Sequence, residues 1–190
     1  QGKTVLTDYH MNTFKLTMNG GYVARSEPEW YCQDANPGGP DSMGASLNFA
    51  RAIISSEPRP GSVLNTGKIK RILSEAFSVS DKNEKQITMK LHAHHFVSTN
   101  TDMRVEGRDY GIWRRIIKYD FKMNFKPKDK VDPSNPYDRV ADPSILDHHV
   151  LDVNYQRAYF SIIIKYYREL MSNYDGKLEN VPMGQVALDT

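Results

Sequence analysis

Four groups of side chains in this sequence have the types and settings to handle a phosphate: Gly2-Lys3-Thr4, Glu57, Asn100 and the pair Arg114-Arg115. Gly-Lys-Thr is the second half of the loop G-x-x-x-x-G-K-[ST]. There, backbone N–H groups cradle phosphates, Lys reaches the β and γ phosphates, and Thr ligates magnesium. Three such residues in a row also match by chance. Glu57 closes an apolar run, and a carboxylate so placed can hold magnesium or its water and orient an attacking water. Read singly, a surface acid at a strand end is the simpler account. Asn100 ends a long β-patterned run, where an open α/β sheet delivers polar side chains to the ligand crevice. Arg114 and Arg115 suit an anionic partner, because a guanidinium is permanently charged and forks onto phosphate oxygens.

These groups need elements to carry them. From 4 to about 18, Val5, Leu6, Tyr9, Thr13, Phe14 and Leu16 give an imperfect helical stripe that Asn19-Gly20-Gly21 stops. A helix beginning at Lys3-Thr4 would aim its positive N-terminal dipole at a bound phosphate. Next come a short strand over 21–24, a loop over 32–42 and a short helix over 42–47. Residues 49–56 read as a strand ending on Glu57, and Pro58 and Pro60 enforce its exit, since proline resists continuing a central strand. Asn65 or Thr66 caps a helix over about 67–76, with Ile69, Ile72 and Leu73 buried and Lys68, Lys70 and Arg71 exposed. Residues 77–79 and the run 86–99, joined by a polar turn, read as a β-hairpin with Lys82 and Lys85 near its tip. Lysines there suit a nucleic-acid backbone, or a turn charged because it is solvated.

Composition bounds the class. The chain has 190 residues, enough for one large domain or a domain with a small appendage, and 25% charged with 39% hydrophobic residues argues for a globular chain. A net charge of +2 leaves nucleic-acid affinity to local patches. The single cysteine, Cys32, excludes an internal disulfide and a cysteine-rich zinc module, and suits a reducing compartment. No apolar run approaches transmembrane length, which predicts no membrane partner. His92 and His94, and the adjacent His148 and His149, have no cysteine or acid at usual zinc spacing, so they read as core or surface histidines.

The order of the pieces carries a resemblance. Gly2-Lys3-Thr4, the run from Arg51 to Glu57, Leu64-Asn65 with Ile69-Lys70, the run from Phe96 to Asn100, and the segment from Asp109 to Arg115 stand in the order of a superfamily 3 helicase. That class lies within the AAA+ ATPases. The chain most resembles the helicase part of the poxvirus-like primase-helicases of large DNA viruses and phages, over nearly two thirds of its length; Gly111-Ile112-Trp113-Arg114-Arg115-Ile116 is the most specific segment.

The resemblance implies an α/β fold: a P-loop NTPase core of AAA+ type over 1–125, entered inside the P-loop, then a connector and C-terminal helical subdomain over 126–190. It implies ATP and Mg2+ as cofactors. Gly2, Lys3 and Thr4 would bind phosphate, Thr4 and Glu57 the metal, and Asn100 would act as sensor 1. Arg114 or Arg115 would be an arginine finger reaching a neighbour's ATP, and Lys82 and Lys85 would track DNA. The implied partners are single-stranded DNA in the central pore of a homo-oligomeric, hexameric ring, and a primase domain upstream in the same polypeptide. The implied location is the host cytoplasm or nucleus at sites of viral replication, or the bacterial cytoplasm for a phage. Ser56 departs from the pattern, since many P-loop ATPases carry a second acid there. A different AAA+ machine, such as a loader or packaging motor, or a DNA-binding scaffold without catalysis, are the alternatives.

The remainder is less specific. Residues 114–130 hold seven Lys or Arg against two Asp, which fits a DNA backbone or a solvated connector. Asp142-Pro143 starts a short helix. A longer helix over about 153–171 places Ala158, Tyr159, Ile162, Ile163, Tyr166, Leu170 and Met171 on an apolar side expected to pack in a core.

Overall fold

Ala52, Ile53, Ile54 and Ser55 are all buried, and a short run buried on both faces is what an interior parallel strand requires. The computed structural model describes residues 2–14, 21–32, 41–80, 83–100, 103–105, 110–113 and 115–181. In it, β2 (Ala52–Ser55) lies between β1 (Val23–Ser26) and β6 (His94–Val97), and both pairings are parallel. Val23 registers on Ala52 and Ala52 on His94, so all three carboxyl ends reach the same edge. Two further two-stranded sheets stand nearby: β3 (Val63–Leu64) pairs in parallel with β7 (Arg104–Val105), and β4 (Phe77–Val79) pairs antiparallel with β5 (Ile87–Met89).

The expected long strand over 86–99 is therefore two. Its first part closes the hairpin with β4, and its second joins the parallel sheet; Leu91, buried between them, anchors the change of partner. The helix α2 (Ser42–Ser46) is capped by Asp41, whose side chain accepts from the Gly44 N–H. Gly44 is forced by space: a Cβ there would stand 2.8 Å from Val79 Cγ1 on β4. The helix α3 (Thr66–Ser74) is capped by Asn65, which accepts from the Lys68 N–H at 2.8 Å. Its Ile69 and Ile72 join Trp30, Tyr31, Leu47, Ile53, Phe77, Val79 and Ile112 of α4 (Tyr110–Trp113) in one core cluster. Lys68, expected on the exposed face, is buried instead, with its ammonium 4.7 Å from the centre of the Trp30 ring. The aromatic face offsets part of the lost hydration, yet burial still lowers the lysine's pKa.

The chain divides into two compact units. The first is 14–116, which holds these sheets and their core, and the second is 1–13 with 117–190. Sequence places one division between 125 and 126; the units part at 13/14 and 116/117. In the second unit α1 (Lys3–Phe14, of which residues to 13 belong here) meets α5 (Val153–Asn173) through Tyr9, stacked on Tyr159 at 5.5 Å, and His10, 3.2 Å from the Tyr159 hydroxyl. The expected start at Lys3-Thr4 is met; residues 15–20 lie outside the described part.

Two readings of this unit need correction. Asp142, expected to cap a short helix, is not its cap: the helical turn over Ile145–His149 is π-type with Ser144 at the cap position; ahead of it a parallel pair forms, β8 (Asn124–Lys126) with β9 (Asp138–Val140). The apolar side of α5 is not core: no residue of this helix is buried, and Ile162, Tyr166 and Met171 are half exposed.

Candidate functional site

Parallel strands put their carboxyl ends together, and the residues just beyond those ends build the site. The ladder extends one step past β2, where Ser98 N–H donates to the Ser55 carbonyl at 3.0 Å. Beyond this step Pro58 turns the chain away after Glu57, while the chain after β6 runs on to Asn100. The two side chains then meet. Asn100 Nδ2 donates to Glu57 Oε2 at 2.6 Å, and the Asn100 backbone N–H donates to Oε1 at 3.1 Å. Each carboxylate oxygen keeps a further lone pair, so the pair can still face a metal or a water. Both residues are exposed just beyond the carboxyl ends of β2 and β6, the edge at which an open α/β sheet receives ligands.

Beneath this edge runs an uncharged polar column that sequence reasoning missed. Ser55 Oγ donates to the Ser26 carbonyl at 3.1 Å, Ser26 Oγ to the Tyr31 hydroxyl at 3.1 Å, and that hydroxyl lies 2.9 Å from His95 Nδ1. Which of the two donates in the Tyr31–His95 bond is set by the imidazole tautomer. Burial pushes the Tyr31 hydroxyl up to about 12 and holds His95 down at about 4, with His94 adding to the latter. The column therefore stays neutral and joins β1 to β6 across β2. No spacing signal links residues 31 and 95.

The remaining candidates are distributed. Lys3 opens α1 after Gly2, whose φ of +87° suits glycine, and the first helical bond runs from Leu6 N–H to the Gly2 carbonyl. Lys3 and Thr4 thus sit in the first turn of a helix in the second unit, with Phe125 of β8 packed beside Gly2. Arg115 is tied within the first unit: its guanidinium donates to the Gly111 carbonyl and, at 3.0 Å, to Ser74 Oγ at the end of α3. Lys85 is exposed in the hairpin turn, next to Glu84 and two residues from Asn83 with its φ of +66°. Arg114 and Lys82 lie outside the described residues. No group of three or more His, Cys, Asp or Glu gathers among the described residues. Magnesium held on a nucleotide needs only one or two carboxylates with the phosphates, and Glu57 is a donor of that chemistry.

A mixed α/β chain with parallel strands that carry an acid and an amide to one edge is compatible with an α/β nucleotide-binding fold. No family model matches the chain. It is similar to proteins named "Putative primase" in African swine fever virus. The one from strain Badajoz 1971 Vero-adapted is 29% identical over 126 residues, which is 66% of this chain and 13% of that protein. Those from isolates Warthog/Namibia and Pig/Kenya give the same identity and coverage. The chain thus spans about an eighth of the length of the curated relatives it matches. No helix among the described residues is long and apolar enough to cross a membrane.

Proposed function

We propose that this chain is part of an ATP-driven DNA helicase of viral-type genome replication, of the superfamily 3 class within the AAA+ ATPases. The observation that carries it is the Glu57–Asn100 pair at the carboxyl edge of the parallel sheet. An acid and an amide from adjacent strands, hydrogen-bonded to each other, suit the orientation of a water beside a γ phosphate. Similarity to proteins named "Putative primase" from African swine fever virus supports the setting.

Bound Mg-ATP supplies the phosphoryl group and the metal charge. For the chain's own part, Lys3 and the first turn of α1 would neutralise phosphate charge, and Thr4 would offer a hydroxyl to the metal. Glu57 would orient the attacking water for in-line displacement and offer a carboxylate to the metal, while Asn100 holds Glu57 through their hydrogen bond. Arg114 or Arg115 serves the neighbouring subunit of a ring, and Lys82 and Lys85 hold single-stranded DNA in its pore. A primase domain in the same polypeptide, and work at sites of viral replication inside the cell, belong to this reading.

The test uses the full-length polypeptide. Lys3→Ala and Glu57→Gln should each abolish steady-state ATP hydrolysis, with Glu57→Gln still binding ATP. Normal turnover in either variant overturns the assignment.

A further inference from the structure

The core face of the three-stranded sheet is laid out in rows. Register places Ala24, Ile53 and His95 in one row and Ser26, Ser55 and Val97 in the next, nearer the carboxyl edge; the period of two keeps both rows on the side where Ile53 joins the core cluster. Interior parallel strands ordinarily fill such rows with Val, Ile and Leu. Here Ser26, Ser55 and His95 interrupt them, and Tyr31, only 3% exposed, lies across the interruption.

Tyr31 is itself held. Its carbonyl accepts from the Asn65 N–H at 2.9 Å where α3 begins, and its ring meets those of Trp30 and His95 edge-on, at 5.2 and 5.7 Å. Its hydroxyl accepts from Ser26 Oγ at the end of β1 and meets His95 Nδ1 on β6, while Ser55 Oγ on β2 donates to the Ser26 carbonyl. The other ring nitrogen of His95, Nε2, is buried and has no partner among the described residues, so the polar hold on that side chain is the Tyr31 hydroxyl.

What these bonds do that Val or Ile could not is fix a position along the strand. Apolar side chains pack at many small offsets, whereas a hydrogen bond weakens steeply when bent or stretched. Offset matters at the edge above. The last ladder bond runs from the Ser98 N–H to the Ser55 carbonyl, and from there each chain needs two residues, roughly 7 Å, to reach Glu57 and Asn100. Over so short an arm, a shift of β2 against β6 passes to the 2.6 Å bond between Asn100 Nδ2 and Glu57 Oε2.

We infer that Tyr31 is a positioning residue for the edge pair: its hydroxyl, bridging Ser26 Oγ and His95 Nδ1, sets the relative height of β1 and β6 on either side of β2, and with it the geometry in which Glu57 and Asn100 meet. The role rests on the hydrolytic reading of that pair. Tyr31 is buried beneath the edge, so it acts on turnover and not on ATP binding.

The experiment measures kcat, KM for ATP and Tm on the full-length polypeptide. Tyr31→Phe removes the hydroxyl and keeps the ring. It should lower kcat roughly tenfold with KM unchanged, since misplacing a reacting group by about 1 Å costs up to about a hundredfold. Asn65→Ala is the comparison, because losing the α3 cap also lowers Tm but spares the hydroxyl bridge; its kcat should match the parent's. In the Asn100→Ala background Tyr31→Phe should slow turnover little further, because the Nδ2 bond it aligns is gone. A kcat for folded Tyr31→Phe within about twofold of the parent overturns the positioning role. So does a loss of kcat that follows Tm alike in Asn65→Ala and Tyr31→Phe, or costs that add in the double variant. If Glu57→Gln turns over as the parent does, the hydrolytic reading falls and the positioning role with it; if Glu57→Gln is inactive while Tyr31→Phe is not slowed, the positioning role alone falls. Should Tyr31→Phe fail to fold, Ser26→Ala breaks the same bridge from its other end and carries the same expectations.

Discussion

If Asn100 holds Glu57 for catalysis as proposed, Asn100→Ala should separate fold from function. The substitution deletes the 2.6 Å bond from Nδ2 to Glu57 Oε2 but keeps the backbone bond to Oε1. A hydrogen bond to a charged group contributes about 1.5–3 kcal/mol when desolvated, but this pair is exposed, and screened surface pairs are worth about 0.2–1 kcal/mol. The stability loss should therefore stay under about 1 kcal/mol, a fall in Tm of roughly 2–4 °C at most. Catalysis is different. Without its amide partner Glu57 can rotate, and removing one group that positions the reacting water costs on the order of a hundredfold in kcat, about 2.7 kcal/mol. Steady-state ATPase assays beside thermal melts of the full-length polypeptide measure both. ATP binding should survive. A kcat within threefold of the parent, or a collapse of Tm, would refute the reasoning.

His95 sets a pH window. Its pKa is lowered from 6.5 to about 4 in the fold, so the unfolded chain binds the proton first. Stability is complete above about pH 6.5 and declines as pH falls toward 4, by roughly 3 kcal/mol in all, and His95→Gln should flatten that slope in denaturant titrations. Phe49 holds a φ of +71° while 72% exposed, so Phe49→Gly should relieve strain and lose little packing, for a gain of about 0.5–1 kcal/mol. Phe49→Ala, which keeps the strain, should give no gain in a melt. Lys82→Ala with Lys85→Ala should weaken single-strand binding and reduce its salt slope while basal ATPase persists; an unchanged slope returns these lysines to the solvent. Mixing Lys3→Ala subunits with Arg114→Ala or Arg115→Ala subunits should restore partial ATPase for the finger residue. No recovery for either arginine, with co-assembly shown, argues against a finger acting across an interface.

What was legible in the sequence is what local rules decide. The Asn65 cap, the short helix at Ser42–Ser46, the exit at Pro58 and the hairpin around residues 80–86 each depend on neighbours within a few positions. What was hidden depends on distant partners. Lys68 looks like a surface lysine until Trp30 is folded over it. The run 86–99 has one continuous β pattern, and only the presence of two different partner strands divides it. The pairing of β8 with β9 spans Pro127, Pro133 and Pro136, a stretch whose polar and proline content gives no strand pattern, and its register rests on Asp138. In the candidate site, Glu57 and Asn100 were each readable as strand-end residues, but their bond was not, because 43 positions separate them.

Arg114 and Arg115 are alike in sequence; for Arg115 the structure adds a constraint. Its guanidinium fork binds the Gly111 carbonyl and Ser74 Oγ, fixing α4 against the end of α3 while Ile112 beside it is fully buried. A finger needs that fork for phosphate. Releasing two bonds of this kind costs about 1–3 kcal/mol, whereas a finger contributes roughly a thousandfold in rate, about 4 kcal/mol. The exchange is therefore favourable only at an assembled interface with nucleotide present, and a lone subunit keeps Arg115 folded back. The two outcomes of mixing are therefore separable by activity and not by the stability of a lone subunit, where Arg115 braces α4 under either reading. If Arg115 is the finger, Ser74→Ala should leave the ring's ATPase intact or raise it, because the competing acceptor is gone. If Arg115 only braces α4, Ser74→Ala and Arg115→Ala should both lower Tm, as they also would under the finger reading, and neither will be rescued by a partner subunit.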